Sequence, residues 1–166
     1  MKYNRIGDLD ISIDANHSYD SKLVDIEKHF IQKELYDNIY AAGEADNQET
    51  YETHYDLVFL ALDKIEKKLE GKKYLLGDEI SQADVKLYSI LVRFDVIYYF
   101  AFRLNRNHIE DFKNIFRYAK SLYKREEFRK ATDFEKFKKE FYLGLDEVAN
   151  PYRLVADGPD MSRWEE

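Results

Sequence analysis

The stretch from Ile80 to Phe102, ISQADVKLYSILVRFDVIYYFAF, constrains this chain more than any other. It opens with a helix start signal. A Gly77-Asp78 turn leads to Ser81, whose hydroxyl can accept a backbone N–H of the first turn. Asp84, three residues on, can reach back to the N–H of Ser81 and complete a capping box. Ile80 before the cap is placed to staple onto Val85. From Val85 to Phe100 the helix is then apolar on nearly every side. A helix of that kind must be surrounded, so it belongs in the middle of a bundle.

The rest of the chain supplies the surrounding helices. Both prolines, Pro151 and Pro159, lie near the end, and only six glycines occur among 166 residues. Such sparse punctuation suits long helices. Leu23, Ile26, Phe30, Leu35 and Ile39 recur at helical spacing between Lys22 and Ala42. Tyr55, Val58, Phe59, Leu62, Ile65 and Leu69 form a cleaner stripe between about Glu49 and Glu70, with Gly71 as its terminator. Further helices are predicted over about Ile109–Tyr123 and Asp133–Tyr142, with a short helical turn around Glu126–Lys130. Residues 1–20 read as an irregular lead, residues 21–145 as the helical domain and residues 146–166 as an extended tail. No run alternates convincingly with period two. The fold class is all-α, a bundle around one buried helix.

Composition narrows the function by exclusion. The net charge is −7, which disfavours nucleic acid as a partner, since phosphate binding needs a basic face. There is no cysteine, hence no disulfide, no thiolate metal site and no cysteine nucleophile within these residues. MKYNRIGDLD has no apolar core of a secretory signal, and no run approaches the roughly 18 apolar residues of a membrane span. A cytoplasmic location without membrane association follows by elimination. The four histidines, His17, His29, His54 and His108, show no metal-ligand spacing and are read as surface residues.

Three blocks in order resemble the C-terminal domain of glutathione transferases, and most closely the glutathionyl-hydroquinone reductases, the Xi-class branch. They are YDNIYAAGEA (36–45), YLLGDEISQADVKLYSILVRFDVIYYFAFRLNR (74–106) and DFEKFKKEFYLGLDEVANPYRLVADGP (133–159). The resemblance implies an enzyme of two parts: a thioredoxin-fold domain with a Cys-Pro-Trp motif and most of the glutathione site, then a helical domain whose tyrosines hold a quinol ring. The cysteine attacks the sulfur of a glutathionyl-hydroquinone, and a second glutathione releases it. Here residues 1–20 are shorter than one βαβ unit of roughly 30 residues. With no cysteine present, the family nucleophile is missing. The chain alone is therefore not expected to catalyse the family reaction, and glutathione is expected only if a thioredoxin-fold domain is supplied.

The resemblance also nominates substrate-binding residues. Tyr40 matches a tyrosine that faces the substrate, and the alternative is a ring packed at a helix end. Where the family often has two adjacent aromatics, the first usually a substrate-contacting tyrosine, this chain has Phe141 then Tyr142. Loss of that hydroxyl weakens the case for a hydroquinone. Tyr98 matches the family and reads first as core. Arg93 and Asp95 sit two apart in the buried helix, so they face different ways and need different partners. Arg93 either lines the ligand cleft or supports the domain interface, or is a paired structural charge holding helices in register. Ser81 and Asp84 read as a folding element. No residue is nominated as catalytic or metal-binding. Expected partners are a thioredoxin-fold domain, a second copy in a homodimer covering an exposed apolar face, and an aromatic or quinol ligand. The competing function is a stand-alone, non-catalytic module that binds proteins or a small ligand.

Overall fold

A computed structural model describes residues 3–14 and 21–166, all helical or irregular, with no named strand among them. Six helices carry the fold. α1 spans residues 21–43, α2 Gln48–Lys68, α3 residues 82–101, α4 Lys113–Tyr123, α5 Glu126–Ala131 and α6 Phe134–Leu143. α3 is the buried axis, with every residue from 87 to 98 buried. α1, α4 and α6 pack directly on it. α2 packs on α1 and α4 and reaches the axis through Phe59, edge-on to Phe94.

The start of α3 is a polar node inside the core. Ser81 Oγ accepts from the Ala83 N–H at 3.2 Å, and Asp84 Oδ2 accepts from the Ser81 N–H at 2.9 Å. The other oxygen of Asp84 accepts from the Leu75 N–H at 3.1 Å and the Tyr118 hydroxyl at 2.7 Å. One fully buried carboxylate thus joins the 74–77 turn, the head of α3 and the middle of α4. Burial raises its pKa, and these hydrogen bonds oppose that rise.

Both long helices contain a wider π-helical stretch, Ile31–Tyr36 in α1 and Phe94–Tyr98 in α3. Inserting such a turn rotates the faces on either side of it. It explains why the stripe read from the sequence holds for Leu35 and Ile39 but not for Leu23 and Ile26, which are exposed. Gly43 ends α1 against Phe102, and a Cβ there would lie 2.5 Å from that ring. α2 keeps its stripe, caps on Asn47 through the Thr50 N–H, and is followed by Gly71 at φ +70°.

The predicted helix from Ile109 is interrupted. A 3-10 turn at Ile109–Asp111 is followed by Phe112 in extended conformation before α4 begins. The unpaired amides at the head of each piece find distant carboxylates. Ile109 N–H donates to Asp95, while the Asn114 and Ile115 N–H groups donate to Glu66 of α2 at 2.7 and 2.8 Å. Glu66 is a cap supplied from 48 residues away. The tail runs irregularly from α6 and ends on a 3-10 turn, Ser162–Glu165, that buries Trp164 against Phe116, Tyr123 and Phe134.

Asp84→Ala leaves two buried N–H groups and a tyrosine hydroxyl unmet. It should cost about 3 kcal/mol of stability in denaturant unfolding. A second prediction concerns Asp95, which also faces His108 Nδ1 at 3.3 Å. The hydrogen bond to Asp95 raises the His108 pKa above the ordinary 6.5, against partial desolvation. A raised histidine pKa gives stability that is complete below pH 6.5 and fades as pH rises through the raised value. His108→Gln should therefore flatten the fall of Tm with pH above 6.5 relative to the parent chain.

Candidate functional site

Three elements converge beside the second half of α3: residues 3–11 of the lead, the C-terminal half of α1, and α6. The lead is the element that the sequence reading understated. Leu9, Ile11 and Ile13 turn inward while Asp10, Ser12 and Asp14 turn out, and Ile11 joins the core. That period-two pattern was the available signal, and its shortness hid it.

Side chains of the bundle hold the lead by its backbone. The Ile6 N–H donates to the Tyr40 hydroxyl at 3.1 Å, and the Tyr36 hydroxyl donates to the Ile6 carbonyl at 2.6 Å. The Leu9 N–H donates to Ser89 Oγ at 2.8 Å, and Arg93 Nη1 donates to the Gly7 carbonyl at 2.6 Å. Tyr36, Ser89 and Gly7 were not among the residues nominated from the sequence. Only the fold reveals their role, because the partners are 30 or more residues apart.

The nominated residues separate into two layers. Tyr40 and Tyr98 are fully buried, with their hydroxyls 3.0 Å apart and their rings edge to face. Burial, reinforced by the Tyr40 hydroxyl, pushes the Tyr98 pKa well above the tyrosine range. A partly enclosed cavity of about 160 Å³ has Tyr3, Ile6, Arg93, Ile97, Phe137 and Phe141 among its walls. Arg93 and Phe141 thus line the cavity, while Tyr40 and Tyr98 are buried in the core and are not among its walls. Tyr142 lies apart, half-buried in a neighbouring hollow with Tyr3, Ala101 and Leu154.

Arg93 and Asp95 do face opposite ways. Asp95 is satisfied by Ile109 and His108. Arg93 has no ion-pair partner among the described residues, so the reading of it as half of a structural charge pair does not hold. Its guanidinium sits 5.1 Å from the centroid of the Phe137 ring. Asp8, a carboxylate whose field reaches it, is already bound to Lys86 at 3.7 Å. Burial lowers the Arg93 pKa only against a very high starting value, so the group stays charged.

Of the histidines, His29 is exposed, while His54 is half-buried and hydrogen-bonded to Asn38 at 2.8 Å. His108 stacks on Tyr99, and His17 lies outside the described residues. No acidic or histidine cluster among the described residues is arranged to hold a metal. No helix among them is long and apolar enough to cross a membrane.

Residues 48–121 match the family described as "Glutathione S-transferase, C-terminal domain". The bundle is a glutathione S-transferase C-terminal domain. The chain is 33% identical over 129 residues to the glutathionyl-hydroquinone reductase PcpF of Sphingobium chlorophenolicum, covering 78% of this chain and 41% of that protein. Among solved structures it superposes on a Xi-class glutathione transferase from Natrialba magadii with a TM-score of 0.83 and 30% identity, over 92% of this chain and 46% of that one. A glutathione transferase from Gordonia bronchialis gives 0.81 and 33%, over 86% and 44%. The transferase domain is therefore related to the glutathionyl-hydroquinone reductases, and the chain spans about two fifths of the length of the curated relatives it matches.

Within this transferase domain the tyrosine hydroxyls act first as clamps on the lead. Tyr40→Phe removes the acceptor of the Ile6 N–H and the partner of Tyr98. Hydrogen exchange at the Ile6 amide should accelerate, with a loss of about 1 kcal/mol in global stability.

Proposed function

We propose that this domain is the ring-binding half of a glutathionyl-hydroquinone reductase-like enzyme, and that it does no covalent chemistry by itself. The observation that carries this reading is the ring-sized cavity lined by Phe137, Phe141 and Ile97. Aromatic walls of this kind hold a planar ring by offset and edge contacts.

The residues at hand support binding and leave the bond-making steps to another domain. Cleaving a glutathionyl thioether by the family route needs a thiolate, and the 166 residues contain no cysteine. Tyr98, with its pKa raised well above the tyrosine range by burial, keeps its proton at neutral pH and cannot serve as a base. In this reading a thioredoxin-fold domain, in the same or another polypeptide, brings the thiol and the glutathione site. This chain then contributes orientation and exclusion of water. A homodimer covering exposed apolar side chains such as Ile26 and Leu23 belongs to the same proposal.

A second reading, a binding module without any catalytic partner, is favoured by one observation. The Tyr40 hydroxyl that a quinol would use is already engaged by the Ile6 N–H.

The two readings part in one experiment. The chain, incubated with a glutathionyl-hydroquinone and glutathione, should release no hydroquinone and should give no saturable heat with glutathione in a calorimeter. Affinity capture from its own cells should recover a thioredoxin-fold protein carrying Cys-Pro-Trp in equal amount. Turnover by the chain alone would overturn the proposal, and recovery of the chain only with itself would favour the second reading.

A further inference from the structure

Arg93 presents a physical problem that the ring-binding reading leaves unsolved. Its side chain is only 9% exposed, it carries a permanent charge, and among the described residues no carboxylate pairs with it. Isolated buried charges are strongly unfavourable unless something opposite and hydrogen-bonding meets them. The carbonyl of Gly7 occupies Nη1 and the Phe137 ring covers one face. A guanidinium has five N–H donors arranged as a fork, so most of its capacity is left for the cavity it lines.

The cavity sets the shape of what meets that fork. Its volume, about 160 Å³, is close to the roughly 150 Å³ that holds a benzene-sized guest in a protein core. Ile6, Ile97, Phe137 and Phe141 give it apolar walls beside the polar groups of Arg93, Asn4 and Glu140. Glu140, also on its lining, is exposed and bridged to Lys136 at 3.8 Å, which offsets its negative charge. A guanidinium binds a carboxylate through two parallel hydrogen bonds, which a phenol or an alcohol cannot accept with the same charge complementarity.

We propose that this cavity is a binding site for a single-ring aromatic monocarboxylate, its carboxylate on Arg93 and its ring between Phe137, Phe141 and Ile97. The site uses the same cavity as the ring-binding reading above but different chemistry: an anion held by Arg93 in place of a neutral quinol held by tyrosines. It also needs the lead, because Tyr3 and Ile6 close one wall and Gly7 aims the guanidinium.

The test is a titration of the full chain with benzoate, benzyl alcohol, acetate and hydroquinone, followed by NMR at the Arg93 Nε–H and the Ile97 and Phe141 amides. Benzoate should bind saturably and at least tenfold tighter than benzyl alcohol or acetate, shifting all three signals. Arg93→Gln should lower benzoate affinity at least tenfold while leaving benzyl alcohol unchanged. Should loss of Arg93 unfold the chain, Leu145→Trp provides the second variant. It fills the cavity from a half-buried wall position, keeps the guanidinium, and should abolish benzoate binding. Equal affinity for benzoate and benzyl alcohol, or benzoate binding undiminished by Leu145→Trp, would overturn the proposal. Hydroquinone binding without benzoate binding would also overturn it and leave the quinol reading standing. Benzoate binding without hydroquinone binding would support it and remove the quinol reading.

Discussion

The carboxylate of Asp84, buried at the head of α3, is the interaction on which the other contacts of this domain lean. A helix that is apolar all round has no preferred direction in a bundle, since any face can meet any neighbour. The polar node supplies the direction. By accepting from Leu75, Ser81 and Tyr118 it sets where α3 starts, how the preceding turn folds back, and which side α4 must occupy. Every later position along the axis, Ser89, Arg93, Asp95 and Tyr98 included, inherits its orientation from that start. Three hydrogen bonds offset the desolvation of one carboxylate, and the node is stiff because losing any one of them exposes the cost of the rest.

From that fixed start, two polar residues of the axis act in opposite directions. Asp95 faces the α3–α4 connection and caps it through Ile109, with His108 alongside. Arg93 faces the lead and α6, where it holds a carbonyl and borders a cavity. The same helix therefore closes the fold on one side and leaves it receptive on the other. The lead completes the receptive side. Its backbone has no strand partner, and its polar groups are satisfied by the hydroxyls of Tyr36, Tyr40 and Ser89. That arrangement assigns the tyrosines a structural task in addition to any role towards a ligand.

Much of the architecture was legible from local chemistry. The capping box at Ser81–Asp84, the stripe from Tyr55 to Leu69 and the helix-breaking turn at Gly71 each depend on neighbours within a few residues. Reading failed where a distant group intervened. The predicted helix from Ile109 breaks at Phe112, and Glu66, far away in sequence, takes the Asn114 and Ile115 amides that a continuous helix would have used. The α1 stripe loses Leu23 and Ile26 because a π-helical turn, invisible to a fixed 3.6-residue period, rotates the faces. The candidate site was half legible: Arg93 and Phe141 border one cavity, Tyr40 and Tyr98 are buried in the core, and Tyr142 belongs to a separate hollow.

The sequence by itself determined the class of fold, its central helix, its kinship with glutathione transferase C-terminal domains and the absence of a thiol. Those properties reside in composition, in short-range periodicity and in motif blocks that need no knowledge of distant contacts. Only the tertiary structure decided that the lead binds across α1 and α3, that Trp164 anchors the tail, and that Arg93 borders a cavity without a carboxylate partner among the described residues. The physical reason is that hydrogen bonds and ion pairs join groups by distance in space. Residues 7 and 93, or 66 and 115, become neighbours only after the apolar core has been packed.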